Sequence, residues 1–198
     1  MVYDTHTHAW GPPTPDHPWT NGPLVENFAS HFSTDIIYTA EKLLADMDEA
    51  GVDDAVVQIM AHTSQLDQAL ELVEAYPELR YTFDHFAHAD AADDPAESYA
   101  GFEPLAEYDN VTVKLSEIAH TSNEEFPYED AHDHVRWFLD TFGRERVLWG
   151  SDFPNVSHPE FGRMSYGETQ SWLNEVSFLS DADRRWLVDD AARSFLEG

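Results

Sequence analysis

Short apolar runs alternate with stretches of helical periodicity along this chain, and that alternation limits the folds open to it. Residues 54–60, 80–86, 111–118 and 146–150 read as strands, and Val2 and Tyr3 begin another at the start. Between and after them, helices are expected over 39–50, 65–76, 96–107, 128–142, 166–175 and 181–196. The first carries Leu43, Leu44 and Met47 on one face and ends at Gly51; the second carries Leu66, Leu70 and Val73 and is stopped by Pro77. Parallel strands need crossover connections, which helices supply, so the pattern predicts an α/β fold with a mostly parallel sheet. Five strands are expected, and a closed eight-stranded barrel typically takes about 250 residues. At 198 residues the chain is short for one, though long enough for one core, and a single domain over 1–198 is expected.

Composition narrows the function classes. Asp and Glu total 39 against 10 Lys and Arg, a formal net charge of −29. Such a chain repels polyphosphate and anionic lipid, so neither nucleic acid nor a membrane surface is expected as partner. The acids are interspersed with aromatic and aliphatic residues at helical spacing, unlike a disordered acidic tail, and read as a salt-adapted, halophilic surface. With no cysteine, disulfides and thiolate ligands are excluded, leaving histidine and carboxylate for metal binding. No apolar run reaches membrane-spanning length and no signal peptide is recognisable, so a cytoplasmic protein is expected. Neither a phosphate-binding glycine loop nor a G-x-S-x-G elbow occurs. Residues 11–34 hold five prolines and read as a long loop.

The chemistry-bearing residues lie at strand ends. Asp4-Thr5-His6-Thr7-His8 places two histidines two apart, and alternate strand residues share a face, so His6 and His8 can reach one metal ion. Far downstream, Trp149-Gly150-Ser151-Asp152-Phe153-Pro154 closes an apolar run at a carboxylate that can add an oxygen ligand or stabilise the turn. His85, beside Asp84, ends the run 80–86 and reads as catalytic or as a packed histidine. Lys114, one of two lysines, lies inside an apolar strand, where an ammonium needs a partner; a structural carboxylate and a substrate remain alternatives. His132 and His134 fall on a helix, where residues two apart face differently, and read as surface. Trp10, Trp19 and Phe153 are candidates for a pocket wall.

Taken in order, Asp4-Thr5-His6-Thr7-His8, Phe83-Asp84-His85, Val113-Lys114-Leu115-Ser116 and Trp149-Gly150-Ser151-Asp152-Phe153-Pro154 resemble the amidohydrolase superfamily, in its amidohydrolase-related, decarboxylase-like branch. The resemblance implies a (β/α)8 barrel, here a reduced or incomplete TIM-like barrel of about five parallel strands. It implies a divalent metal, zinc or else manganese, with His6, His8 and Asp152 as ligands. Asp152 would also move a proton, and His85 would contact metal or polarise substrate and water. Lys114, in the family signature, and Trp10, as a pocket wall, are the candidate substrate contacts. Between Val57 and the strand before His85 the family has three further βα units, where this chain has about twenty residues. His62 could then replace a missing histidine ligand. The implied activity is hydrolysis of a small amide, lactone or carboxylated compound. Nonoxidative decarboxylation and a non-catalytic, shortened binding protein are the alternatives. Exposed sheet edges would favour a homodimer.

Overall fold

The computed structural model describes residues 3–7, 40–51, 54–152, 155–157 and 162–197. It divides into two compact units, Met1–Val57 and Gln58–Gly198. In the first unit β1 (Tyr3–Thr7) pairs in parallel with the start of β2 (Asp54–Ile59), Tyr3 opposite Asp54 and Thr7 opposite Val57. Helix α1 (Ala40–Ala50) ends at Gly51, whose φ of +70° is the left-handed conformation that glycine adopts freely. The loop read over 11–34 lies outside the described residues.

The second unit alternates helix and strand as the periodicity predicts. After α2 (Leu66–Ala75) come β3 (Arg80–Phe83), the short helices α3 (Pro95–Ser98) and α4 (Phe102–Leu105), and β4 (Val111–Leu115). The one-turn helix α5 (Ile118–Thr121), helix α6 (His132–Phe142), β5 (Val147–Trp149) and the one-turn helix α7 (Glu168–Ser171) follow. The chain then passes through α8 (Asp181–Arg185), a π-helical turn over Trp186–Asp190 and α9 (Ala191–Glu197). Strands β3, β4 and β5 pair in parallel, with Phe83 opposite Val113 and Leu115 opposite Trp149, so their C-terminal ends lie along one edge. Parallel pairing is described for β1 with β2 and for β3, β4 and β5 in turn, five strands among the described residues, short of the number that closes a (β/α)8 barrel.

Burial explains the order. Val111, Val113 and Leu115 on β4 are buried, as expected of a strand covered on both faces. Helix α6 packs on β4 and β5 and turns Phe138 and Phe142 into an aromatic cluster with Tyr99 and Phe102; the Tyr99 and Phe138 rings are 4.5 Å apart. No helix among the described residues is long and apolar enough to cross a membrane.

Five expectations are corrected. The strand read over 80–86 stops at Phe83, and 111–118 stops at Leu115, because the backbone turns left-handed just beyond each. The helix read over 96–107 is two turns interrupted at Gly101, where a Cβ would lie 2.7 Å from Leu66 Cβ. The helix read over 166–175 is one α turn, Glu168–Ser171, followed by a 3-10 turn, Trp172–Asn174. His134 is not on the surface: it is 1 % exposed, and its Nδ1 lies 2.9 Å from the Tyr99 hydroxyl.

Candidate active site

Three strands deliver one side chain each to the same place. His85 lies two residues beyond β3, Glu117 two beyond β4 and Asp152 three beyond β5, with φ of 56°, 59° and 51°. A left-handed L-residue costs about 1 to 2 kcal/mol, so three at one edge mark a place where geometry outweighs local comfort. One ligand atom from each lies within 4.8 Å of the others, and this is the convergent His and carboxylate set among the described residues.

His85 begins a turn in which four consecutive residues, His85 to His88, all have φ near +50°. Packing holds it: Phe86 is 1 % exposed and its ring meets Phe138 edge-on at 5.8 Å. The Asp84 carbonyl accepts the Ala87 N–H at 3.0 Å, and the Asp84 N–H donates to the Ile59 carbonyl at 3.0 Å. The Asp84 carboxylate in turn pairs with Lys114 Nζ at 2.7 Å, and Nζ also donates to Gln58 Oε1 at 2.7 Å. Of the two partners left open for Lys114, the structural carboxylate is present, and the third N–H of the ammonium is left for another acceptor.

The electrostatics are those of crowded carboxylates. Glu117 Oε2 is 3.6 Å from His85 Nδ1, and Oε1 is 3.6 Å from His120 Nδ1. Burial pushes the Glu117 carboxyl up to about 8, and the neighbouring Asp152 carboxylate, as hydrogen-bond partner and like charge, adds to the rise. Burial also holds the His85 imidazole below its ordinary value, against the pull of Asp84 and Asp152. Asp152 Oδ1 stands 4.0 Å from His85 Nε2, while Oδ2 is buried with no hydrogen-bond partner among the described residues.

A divalent cation fits this set. It would neutralise two carboxylates that otherwise share a proton, and it would satisfy the orphaned Oδ2 of Asp152. One nitrogen and two oxygens suit zinc or manganese.

The sequence-derived residues divide accordingly. His85 and Asp152 come together, Nε2 and Oδ1 standing 4.0 Å apart. His62 is exposed and caps the 3-10 turn Thr63–Gln65, its Nδ1 accepting the Ser64 N–H at 3.3 Å, and it is not in the convergent set. His6 is on β1, with its side chain outside the described residues, as are His8 and Trp10. Glu117 was missed. One acid among 39 carries no signal of its own; its place directly after Lys114-Leu115-Ser116, at the same offset from a strand as His85, was the available clue.

Comparison with known proteins decides the family. An amidohydrolase family model matches residues 47–197, most of the chain. The chain belongs to the amidohydrolase family. It is 30% identical over 172 residues to an L-fucono-1,5-lactonase of Burkholderia ambifaria, covering 77% of this chain and 56% of that protein. It therefore spans little more than half the length of this curated relative. Among solved structures, a zinc-bound amidohydrolase from Burkholderia multivorans superposes with a TM-score of 0.65 at 21% identity, over 89% of this chain and 61% of the other. An amidohydrolase from Bifidobacterium longum subsp. infantis superposes with a TM-score of 0.54 at 16% identity, over 98% of each. These structural likenesses establish the fold: the α/β architecture anticipated from the alternation is that of the amidohydrolases.

Proposed function

We propose that this amidohydrolase is a metal-dependent hydrolase of a small lactone or a related cyclic ester or amide. The observation that carries the reading is the meeting of His85, Glu117 and Asp152 at the ends of three parallel strands, in a chain whose curated relative is a lactonase. Active sites of such α/β folds lie at the C-terminal strand ends.

His85, Glu117 and Asp152 would hold the divalent ion, with His6 and His8 as further ligands proposed from their motif. The ion supplies Lewis-acid polarisation and lowers the pKa of a water toward ~7. The remaining work belongs to the chain. A carboxylate oxygen of Asp152 takes the proton from the attacking water and returns it to the leaving oxygen or nitrogen. Glu117, between His85 and His120, would serve as an oxygen ligand of the set. Lys114, anchored by Asp84 and Gln58, has one N–H left for a substrate oxygen.

The test is elemental analysis of protein purified and dialysed in high salt, with a screen of sugar lactones, cyclic amides and aryl carboxylates. Near-stoichiometric zinc or manganese in wild type, lost in Glu117→Gln/Asp152→Asn and reduced in His6→Ala/His8→Ala, with lactone ring opening in wild type alone, is the expected result. Metal-independent ring opening, or carbon dioxide release as the sole activity, would overturn it.

A further inference from the structure

Lys114 ties together the ends of four strands. Its Nζ lies 2.7 Å from Asp84 Oδ1, beside His85 at the end of β3, and 2.7 Å from Gln58 Oε1 on β2. Its own strand leads to Glu117, and its stem lies against Gly150, two residues before Asp152, where a Cβ would stand 2.7 Å from Cδ. Ile59, next to Gln58, accepts the Asp84 N–H at 3.0 Å, so β2 reaches the same level. An ammonium donates and cannot accept, so the Gln58 oxygen must face it, and this fixes which way the amide points. The NH2 is turned away from Lys114. Gln58 is 9 % exposed, and its amide nitrogen has no hydrogen-bond partner among the described residues. Buried N–H donors without an acceptor are costly. One step back along the same face, the buried hydroxyls of Thr82 and Thr112 are already paired at 2.8 Å, which closes that side. The acceptor has to come from the strand ends.

We infer that Gln58 is a specificity-determining residue whose amide donates, beside Lys114, to an uncharged hydroxyl or carbonyl oxygen of the substrate. This deepens the lactone reading and rests on it for the ring that carries the oxygen. Charge selects the kind of acceptor. Asp84 at 2.7 Å offsets the ammonium, and Glu117 and Asp152 stand at the neighbouring strand ends, so the chain offers a substrate carboxylate no net positive charge here. A neutral oxygen takes the Gln58 N–H and the third N–H of Lys114 without bringing charge of its own. Donors built for such an oxygen reject an analogue that lacks it, because they are then left unpaired. The pair therefore favours an oxygen-rich, uncharged ring over a carboxylated one.

The experiment reads binding apart from turnover. A polyhydroxylated δ-lactam, unsubstituted δ-valerolactam and a carboxylated δ-lactam, ring analogues that resist opening, are titrated into the full chain by calorimetry, and the Gln58 side-chain amide signals are followed by 15N NMR. Wild type is expected to bind the hydroxylated lactam about 10-fold more tightly than the unsubstituted one, with the Gln58 amide signals shifting for the hydroxylated lactam. Gln58→Met, of similar volume, is expected to lose that preference while binding the unsubstituted lactam as wild type does. A preference that survives in Gln58→Met, an equal weakening of both lactams in it, or tightest binding of the carboxylated lactam by wild type would overturn the inference. If Gln58→Met does not fold, the wild-type amide signals decide alone, and signals unmoved by the hydroxylated lactam overturn it. Signals that move in a protein that opens no lactone would overturn the hydrolase reading and leave the recognition by Gln58 standing.

Discussion

His85 and Glu117 leave neighbouring parallel strands in the same way: each is the second residue past its strand and each has a left-handed backbone, φ 56° and 59°. In-register strands that end by the same device deliver their side chains side by side, and Glu117 Oε2 reaches within 3.6 Å of His85 Nδ1. The cost of the device is backbone strain, most visible at Glu117, where glycine would sit freely.

Replacing Glu117 separates the strain from the carboxylate. Both Glu117→Ala and Glu117→Gly remove the ligand, but only glycine relieves the left-handed backbone, so the glycine variant should be about 1 kcal/mol more stable than the alanine variant. Urea denaturation of the two, beside zinc titrations showing equal loss of affinity, checks this. Equal stability would mean that the turn is not strained at this residue.

The pH dependence of the metal-free protein has two arms. Burial holds the imidazoles of His85, His88 and His134 below their ordinary value, so the unfolded chain binds more protons than the native one. Their contribution is complete above about pH 6.5 and is lost as pH falls below it. Glu117 acts oppositely, because its native value is raised to about 8 and the native state holds the extra proton. That contribution is present below the ordinary carboxylate value and is lost as pH climbs through about 8. Melting temperature of metal-free protein should thus fall on both sides of a slightly acidic maximum, and Glu117→Gln should flatten the alkaline arm alone. An alkaline decline that survives in Glu117→Gln would assign it elsewhere.

Gly150 is required by the lysine beside it. A Cβ there would meet Lys114 Cδ at 2.7 Å and Cγ at 3.1 Å, and the stem cannot swing aside while Asp84 and Gln58 hold its ammonium. Gly150→Ala should cost about 1 to 3 kcal/mol, the usual cost of overpacking, and much less in a Lys114→Ala background. A double-mutant cycle in urea measures the coupling. Additive effects would show that the lysine stem is not the obstacle.

How much of this was legible in the sequence follows from which interactions decide each feature. Strands β3, β4 and β5 were visible because they are largely buried and read as short runs rich in apolar residues between helical stretches. Their ends were not, because Phe86 and Ala87 continue the apolar pattern of β3 while lying in a left-handed turn held by tertiary packing. His85 and Asp152 stood out by residue type within motifs, whereas Glu117 was one acid among many. For His134 the argument from helical spacing correctly parted it from His132, yet its burial depends on the Tyr99 hydroxyl, which comes from another element. The distribution of acids gave the charge but not which two carboxylates would be forced together.

Arg163 secures the segment that follows Glu117. Its guanidinium donates to the carbonyls of Ala119, Ser122 at 2.8 Å and Glu124 at 2.9 Å, three acceptors spread over α5 and the turn beyond it. A lysine keeps the charge but lacks the planar fork that serves several acceptors at once. Arg163→Lys should therefore release residues 118–124, which begin directly after the left-handed Glu117. The expected cost is about 1 kcal/mol in stability, with faster amide exchange confined to that segment. Because Arg163 donates to none of the three converging side chains, any fall in zinc affinity in this variant would report the loosened backbone at Glu117. Unchanged exchange over 118–124 would show that the segment is held by α5 packing and needs no latch.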